Sequence, residues 1–336
     1  MANGWTCSSL DELRDAIDRN DLPLVQAMML RNPALHQAPL GYAGDGPLTW
    51  VAECRVPRLP PNETRLAMAE WMIANGSDVH QGGEAPLMRA TLSAERIPMM
   101  ELLVAHGADV NAAWHGSYPI IFTACEALNP ETLHWLLEHG AHPGTALDYL
   151  LGTYVRNAEA LGACIEALLR AGGKSKYDNP ALLAVIRGRV TELAELLDVN
   201  PELVHQRFPD LDFGTTAGRM LTLRGGTLLH VAAEFQSFDA AQLLLDRGAD
   251  VNAAALPDEA GVGGQTPVFH AATQREDAGL PIVRLFVERG ADLRLRARLP
   301  GHHERPGEIL ECTPLGYALL FPGDRGPTSA FLTAQT

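Results

Sequence analysis

Lysine is nearly absent from this chain. Only Lys174 and Lys176 occur, and with Lys and Arg together numbering 26 against 41 Asp and Glu, the formal net charge is −15. A surface of that sign disfavours DNA, RNA and anionic membranes, which need clustered cations. Neither nucleic acid nor membrane is therefore expected as a partner, and basic or neutral partners fit better. Long apolar runs are also lacking. No stretch of about eighteen apolar residues occurs, and the N-terminus shows no basic segment leading into an apolar signal core. Cys7, Cys54, Cys125, Cys164 and Cys312 are few, odd in number and without C-x-x-C spacing. That argues against a disulfide framework or zinc site, and for buried thiols in a reducing, cytoplasmic location.

Catalytic signatures are missing as well. There is no H-E-x-x-H, no G-x-S-x-G nucleophile elbow and no Walker-type loop. Gly261-Val262-Gly263-Gly264 precedes an expected helix but follows no expected strand, so it reads as a flexible loop rather than a phosphate cradle. The nearest approach to a metal cluster is His302-His303-Glu304, between Pro300-Gly301 and Pro306-Gly307. Adjacent side chains rarely chelate one ion without help from elsewhere, so a solvated loop is expected there, with no metal and no cofactor.

What the chain does have is repetition. Gly225-Gly226-Thr227-Leu228-Leu229-His230-Val231-Ala232-Ala233 leads, one helix later, into Leu243-Leu244-Leu245-Asp246-Arg247-Gly248-Ala249-Asp250-Val251-Asn252-Ala253. The second half returns at Asn75-Gly76-Ser77-Asp78-Val79, at His106 to Ala112, at His139-Gly140-Ala141-His142, at Ala171-Gly172-Gly173 and at Arg289 to Leu293. The first half returns at Ala85-Pro86-Leu87, Thr266-Pro267-Val268-Phe269-His270 and Thr313-Pro314-Leu315. A Thr can cap the free amides of a first turn, and a Pro beside it loses no hydrogen bond there. Paired alanines keep that helix thin, a leucine stripe gives the second helix a face to bury, and a glycine ends it in the left-handed region.

These residues resemble the ankyrin repeat family. The steps between terminating glycines, Gly76, Gly107, Gly140 and Gly172, are close to its repeat of ~33 residues. The resemblance implies an all-α ankyrin-type solenoid of helix-turn-helix repeats, about nine units long. Ser9-Leu10-Asp11-Glu12 has capping-box spacing and opens the first unit. Asn32-Pro33 to Gln37 and Asn200-Pro201 to Gln206 end two units alike, which suggests two blocks of one continuous solenoid, 5–176 and 177–336. Val56 to Asn62 holds too many prolines for a helix and is expected to be a loop. At the C-terminus only Ser329 to Thr333 looks able to form a second helix. The last repeat is therefore expected to stay incomplete, leaving a surface for self-association or a short cap.

Three insertions, 207–224, 254–264 and 295–311, fall between consecutive repeats. The resemblance places them as finger loops along one edge, and long insertions in compact repeats usually carry function. Their alternating charges allow two readings. Neighbouring loops can pair with each other, or Arg207, Arg219, Arg224, Arg296 and Arg305 can present guanidinium groups to a carboxylate or phosphate beside Phe208 and Phe213. Trp114, His115 and Tyr118 form a second candidate patch, with packing against an adjacent finger as the plain alternative. The resemblance gives His230 a structural role between repeats. The expected function is a protein or peptide interaction module using the concave face and finger loops, with partner identity open. The alternative is a small-molecule enzyme on the insertions, using Asp212, His270, His302 and Glu304.

Overall fold

A computed structural model describes residues 6–56, 60–153, 157–214, 219–321 and 326–336. Its described residues are mostly helical and fall into two compact units, Met1–Ala146 with Ala167–Gly173, and Leu147–Glu166 with Lys174–Thr336.

The first unit stacks helix pairs: α1 (Cys7–Asp18) with α2 (Leu22–Arg31), α3 (Pro47–Glu53) with α4 (Glu63–Ala74), α5 (Gln81–Ala90) with α6 (Ile97–Ala105), and α7 (Ile120–Glu126) with α8 (Pro130–Glu138). Contacts of α3 with α5 and α5 with α7 make one layer, and contacts of α2 with α4 and α4 with α6 make the other. Between α6 and α7 a short hairpin pairs β1 (Ala113–Trp114) with β2 (Tyr118–Pro119). Helix starts follow local chemistry. Asp21, Asn62 and Asn129 each accept a first-turn amide, at 3.1, 2.8 and 3.1 Å. The ends follow it too, with Gly76, Gly107 and Gly140 at φ of 116°, 99° and 88°. Helix α1 starts earlier than Ser9 implies. Thr6 is the N-cap, its hydroxyl accepting from the Ser9 amide at 3.2 Å, so the capping box is Thr6 with Ser9.

Next in the chain come α9 (Ala146–Leu151) and α10 (Ala158–Arg170), of which Leu147–Glu166 belong to the second unit. The second unit pairs α11 (Pro180–Ile186) with α12 (Val190–Val199), α13 (Leu228–Glu234) with α14 (Phe238–Asp246), and α15 (Pro267–Ala272) with α16 (Leu280–Glu288). A hairpin of β3 (Ala297–Pro300) and β4 (Ile309–Cys312) precedes α17 (Pro314–Ala318) and α18 (Pro327–Gln335). Contrary to expectation, the last pair is complete. Helix α18 runs two residues beyond Ser329 to Thr333 at each end and packs on α16 and α17. Asp277 caps it by accepting the Thr328 amide at 2.8 Å, and Arg284 lies over the Phe331 ring at 4.4 Å.

Two details repeat between the units. Asn32 and Asn200 adopt nearly the same backbone, φ/ψ of −136°/85° and −137°/89°, and each leads into a 3-10 turn. Asn111 spans to the next repeat, donating to Gly140 O at 2.9 Å and accepting from His142 N at 2.8 Å. Asn252 does the same with Gly290 O at 3.0 Å and Asp292 N at 2.7 Å. The expected threonine cap varies: Thr313 makes it with the Gly316 amide at 3.2 Å, whereas Thr266 makes no side-chain cap. Of the loop at Val56 to Asn62, residues 57–59 lie outside the described residues, as do 215–218 of the first insertion.

Candidate binding site

In the second unit, the segments at 207–224, 254–264 and 295–311 are joined by backbone hydrogen bonds. Phe208 N donates to Gly226 O at 2.9 Å, Leu256 N to Gly225 O at 3.0 Å, and Ala255 N to Gln265 O at 2.8 Å. Gly263 and Arg298 exchange bonds of 2.7 and 3.1 Å, and Arg219 bridges to His302. Gly225 makes one of these junctions possible. It stands at φ 70°, and a Cβ there would lie 2.5 Å from Leu256 N, so both the conformation and the close approach call for glycine. Edge groups that would otherwise need water are paired within the chain.

This pairing decides where the candidate arginines go. Arg219 is 2% exposed, and its Nη2 lies 2.6 and 2.7 Å from the two carboxylate oxygens of Glu234, itself 0% exposed. It also donates to Gly214 O at 2.8 Å and Thr273 Oγ1 at 2.5 Å. The expectation that Arg219 faces a partner is thereby corrected: a guanidinium without water needs internal acceptors, and this one has them. Phe208 and Phe213 are corrected likewise. Both are buried, Phe213 against Tyr177 at 4.7 Å and Phe235 at 6.1 Å between ring centroids. Arg207 donates to Ala254 O, Arg296 pairs with Glu311 at 3.2 Å, and Arg305 with Glu308 at 3.0 Å. Arg224 differs: exposed, it makes no ion pair or hydrogen bond among the described residues.

Arg224 stands on the rim of a cleft of about 160 Å³. All three segments contribute: Met220, Leu221 and Thr222 from the first, Leu256, Asp258 and Val262 from the second, Leu299 and Pro300 from the third. Met220 and Leu256 are 45% and 46% exposed and supply part of its apolar lining. Gln265 closes the cleft. It is 3% exposed and donates through Nε2 to Thr222 O at 3.1 Å, while Oε1 has no partner. A buried amide oxygen without a donor costs about 1–3 kcal/mol, which an arriving N–H recovers. The cleft was hidden in the sequence because Met220, Leu256 and Leu299 belong to different segments that only cross-loop pairing assembles.

The other candidates lie elsewhere. Asp212 accepts from Lys176 Nζ at 3.1 Å and from the Tyr177 hydroxyl. His270 is fully buried, with Nδ1 2.8 Å from Glu234. His302 and Glu304 lie 3.6 Å apart, and with His303 offer ligand atoms within 4.8 Å of one another on the exposed third segment. The four residues weighed for catalysis are thus engaged in separate contacts, and none lines the cleft. His230 is structural. The Thr227 amide donates to Nδ1 at 3.0 Å, so the remaining proton sits on Nε2, 3.0 Å from Gln265 O in the next repeat. Burial, with His270 nearby, pulls its pKa down to about 3.

In the first unit, Trp114 and Tyr118 are half-buried. Trp114 Nε1 donates to Asp45 at 3.0 Å, its ring meets Tyr42 at 5.5 Å, and the Tyr118 hydroxyl donates to Glu126 at 2.8 Å. Both therefore pack against neighbouring segments while keeping part of each ring in solvent.

Residues 202–297 match the family model described as ankyrin repeats (3 copies). No curated protein matches the chain. Among solved structures, the crystal structure of the human ASB11 ankyrin repeat domain aligns at 21% identity and TM-score 0.34, covering 87% of this chain and 98% of that one.

Proposed function

We propose that this chain, whose residues 202–297 match ankyrin repeats, binds a partner protein through an extended segment seated in the cleft of the second unit. Ankyrin repeats are generally protein-interaction modules, and the unpartnered Gln265 Oε1 carries the choice of site. A peptide group supplies the missing donor. An apolar side chain beside it covers Met220, Leu256 and Leu299, and an acidic residue nearby meets Arg224. In this reading the chain holds about nine repeat units in two blocks, 5–176 and 177–336, and the three insertions are enlarged fingers. The helix pairs and the cross-loop hydrogen bonds support that organisation.

Peptide display on the full-length protein tests the proposal. Selected peptides should carry an acidic residue next to a large apolar one, and lose at least tenfold in affinity on Arg224→Glu and on Leu256→Asp. Peptides that bind both variants as well as the parent protein would overturn it.

A further inference from the structure

The buried pair Arg219 and Glu234 has an empty counterpart in the first unit. Glu53 ends α3 as Glu234 ends α13. When Pro86 is aligned with Pro267, Arg89 and Leu92 stand where His270 and Thr273 stand. In the second unit the guanidinium of Arg219 fills the space between Glu234, His270 and Thr273, bonding Glu234 and Thr273. In the first unit Glu53, Arg89 and Leu92 line a cavity of about 300 Å³ instead.

The chemistry of that cavity differs from its counterpart in one respect. Arg89, in the position of His270, already balances the carboxylate, its Nη2 2.5 Å from Glu53 Oε1. One polar atom of each partner in this ion pair is left over. Glu53 is 4% exposed and its Oε2 has no partner, and the buried Nε of Arg89 has none either. The Tyr42 ring lies 4.2 Å from the guanidinium carbon, and Arg96 donates to the backbone oxygen of Arg89 at 2.9 Å. Arg55, Glu95 and Arg96 also line the cavity, so charges of both signs face it and neither a lone cation nor a lone anion is singled out. One vacant acceptor and one vacant donor match a neutral group that carries both.

We propose that this cavity binds the carboxamide side chain of an Asn or Gln from a partner protein, its NH₂ donating to Glu53 Oε2 and its oxygen accepting from Arg89 Nε–H. This site is separate from the cleft of the second unit.

The test is an NMR titration of the full-length protein, reading the Arg89 Nε–H signal, assigned by its loss in Arg89→Lys. The probes are the tripeptides Gly-Gln-Gly, Gly-Glu-Gly and Gly-Arg-Gly, and free propionamide. Gly-Gln-Gly is expected to shift the signal in a saturable manner, more tightly than propionamide, while the Glu and Arg tripeptides leave it in place. Ser93→Phe narrows the cavity without touching the ion pair and should abolish the shift; Glu53→Gln should weaken it at least fivefold. No shift with Gly-Gln-Gly, an equal shift with the Glu or Arg tripeptide, or a shift that survives Ser93→Phe would overturn the proposal. Tighter binding of propionamide than of Gly-Gln-Gly would overturn the assignment to a partner chain.

Discussion

Arg219 Nη2 lies 2.6 and 2.7 Å from the two carboxylate oxygens of Glu234, and both residues are closed off from water. One belongs to the first insertion and the other ends α13, so the pair fastens a long connection to the helices beneath it. Removing Glu234 strands the guanidinium in a medium that solvates it poorly, and removing Arg219 takes the charged partner from a buried carboxylate that keeps His270 at 2.8 Å. Arg219→Leu or Glu234→Leu is expected to cost about 3–5 kcal/mol, whereas the double variant recovers most of that loss. Urea denaturation of the three variants, analysed as a double-mutant cycle, checks this. Losses that simply add would mean the residues are not coupled.

His230 gives the stability a definite pH dependence. Its folded-state pKa is depressed to about 3 by burial, while the unfolded chain titrates near the ordinary 6.5. The unfolded state therefore binds the proton first. The contribution of neutral His230 is fully present above pH 6.5 and is lost as pH falls through the interval toward 3, at roughly 1.4 kcal/mol per pH unit. Between pH 6.5 and 4.5, before most carboxylates titrate, His230→Asn should flatten the stability profile by about that slope. An imidazole signal of His230 that titrates near 6.5 in the folded protein would contradict the burial argument.

Much of the fold is legible in the sequence because its causes are local. The left-handed glycines, the prolines in first turns and the leucine stripes act over a few residues, and the structure has them where the repeats place them. Thr6 displaced Ser9 as the first cap because both types suit that position and only the backbone tells them apart. The site was less legible. Exposed loops and charged loops look alike in sequence, yet Arg219 is buried and Arg224 is not, because Glu234 waits under one and nothing under the other. Neither the Gln265 acceptor nor the Glu53 cavity follows from residue type, since each depends on a partner that is missing in space.

Gly225 is a position where one methyl group should be felt. Its φ of 70° strains any other residue, and an added Cβ would press on Leu256 N, Cβ and O at 2.5 to 2.7 Å. Gly225→Ala is expected to lose about 2–4 kcal/mol, from the left-handed strain together with the overpacking. It should also push the second insertion outward. Hydrogen exchange should then be faster at the Leu256 amide, which donates to Gly225 O, than at Asn252 in the neighbouring turn. Equal protection in parent and variant would show that the junction yields without opening.

Gln265 separates binding from folding. Gln265→Met loses the bond from Nε2 to Thr222 O but also removes the buried oxygen that has no donor, so the two effects nearly cancel. The net change in stability is expected within about 1 kcal/mol. Binding of peptides selected on the cleft should nonetheless fall at least tenfold, because their N–H loses its acceptor. Thermal melting and peptide titration of one preparation decide the matter.

The cysteines, expected as uniformly buried, in fact sample three environments and so report on the insertions. Cys7 is exposed, Cys54, Cys125 and Cys164 are buried, and Cys312 lies half-buried in β4 opposite Ala297. Burial pushes the Cys164 thiol up to about 12 and Cys312 up to about 11, so little of either is thiolate at pH 8. Iodoacetamide should therefore label Cys7 within minutes, Cys312 far more slowly and Cys164 only as the protein unfolds. Parting of β4 from β3 would expose Cys312 further, and Leu299 and Pro300 of β3 line the cleft. A peptide held in the cleft should stabilise that hairpin and slow Cys312 labelling several-fold, leaving Cys7 unchanged. Mass spectrometry of tryptic fragments with and without peptide measures both rates at once, and an unchanged Cys312 rate at saturation would place the peptide elsewhere.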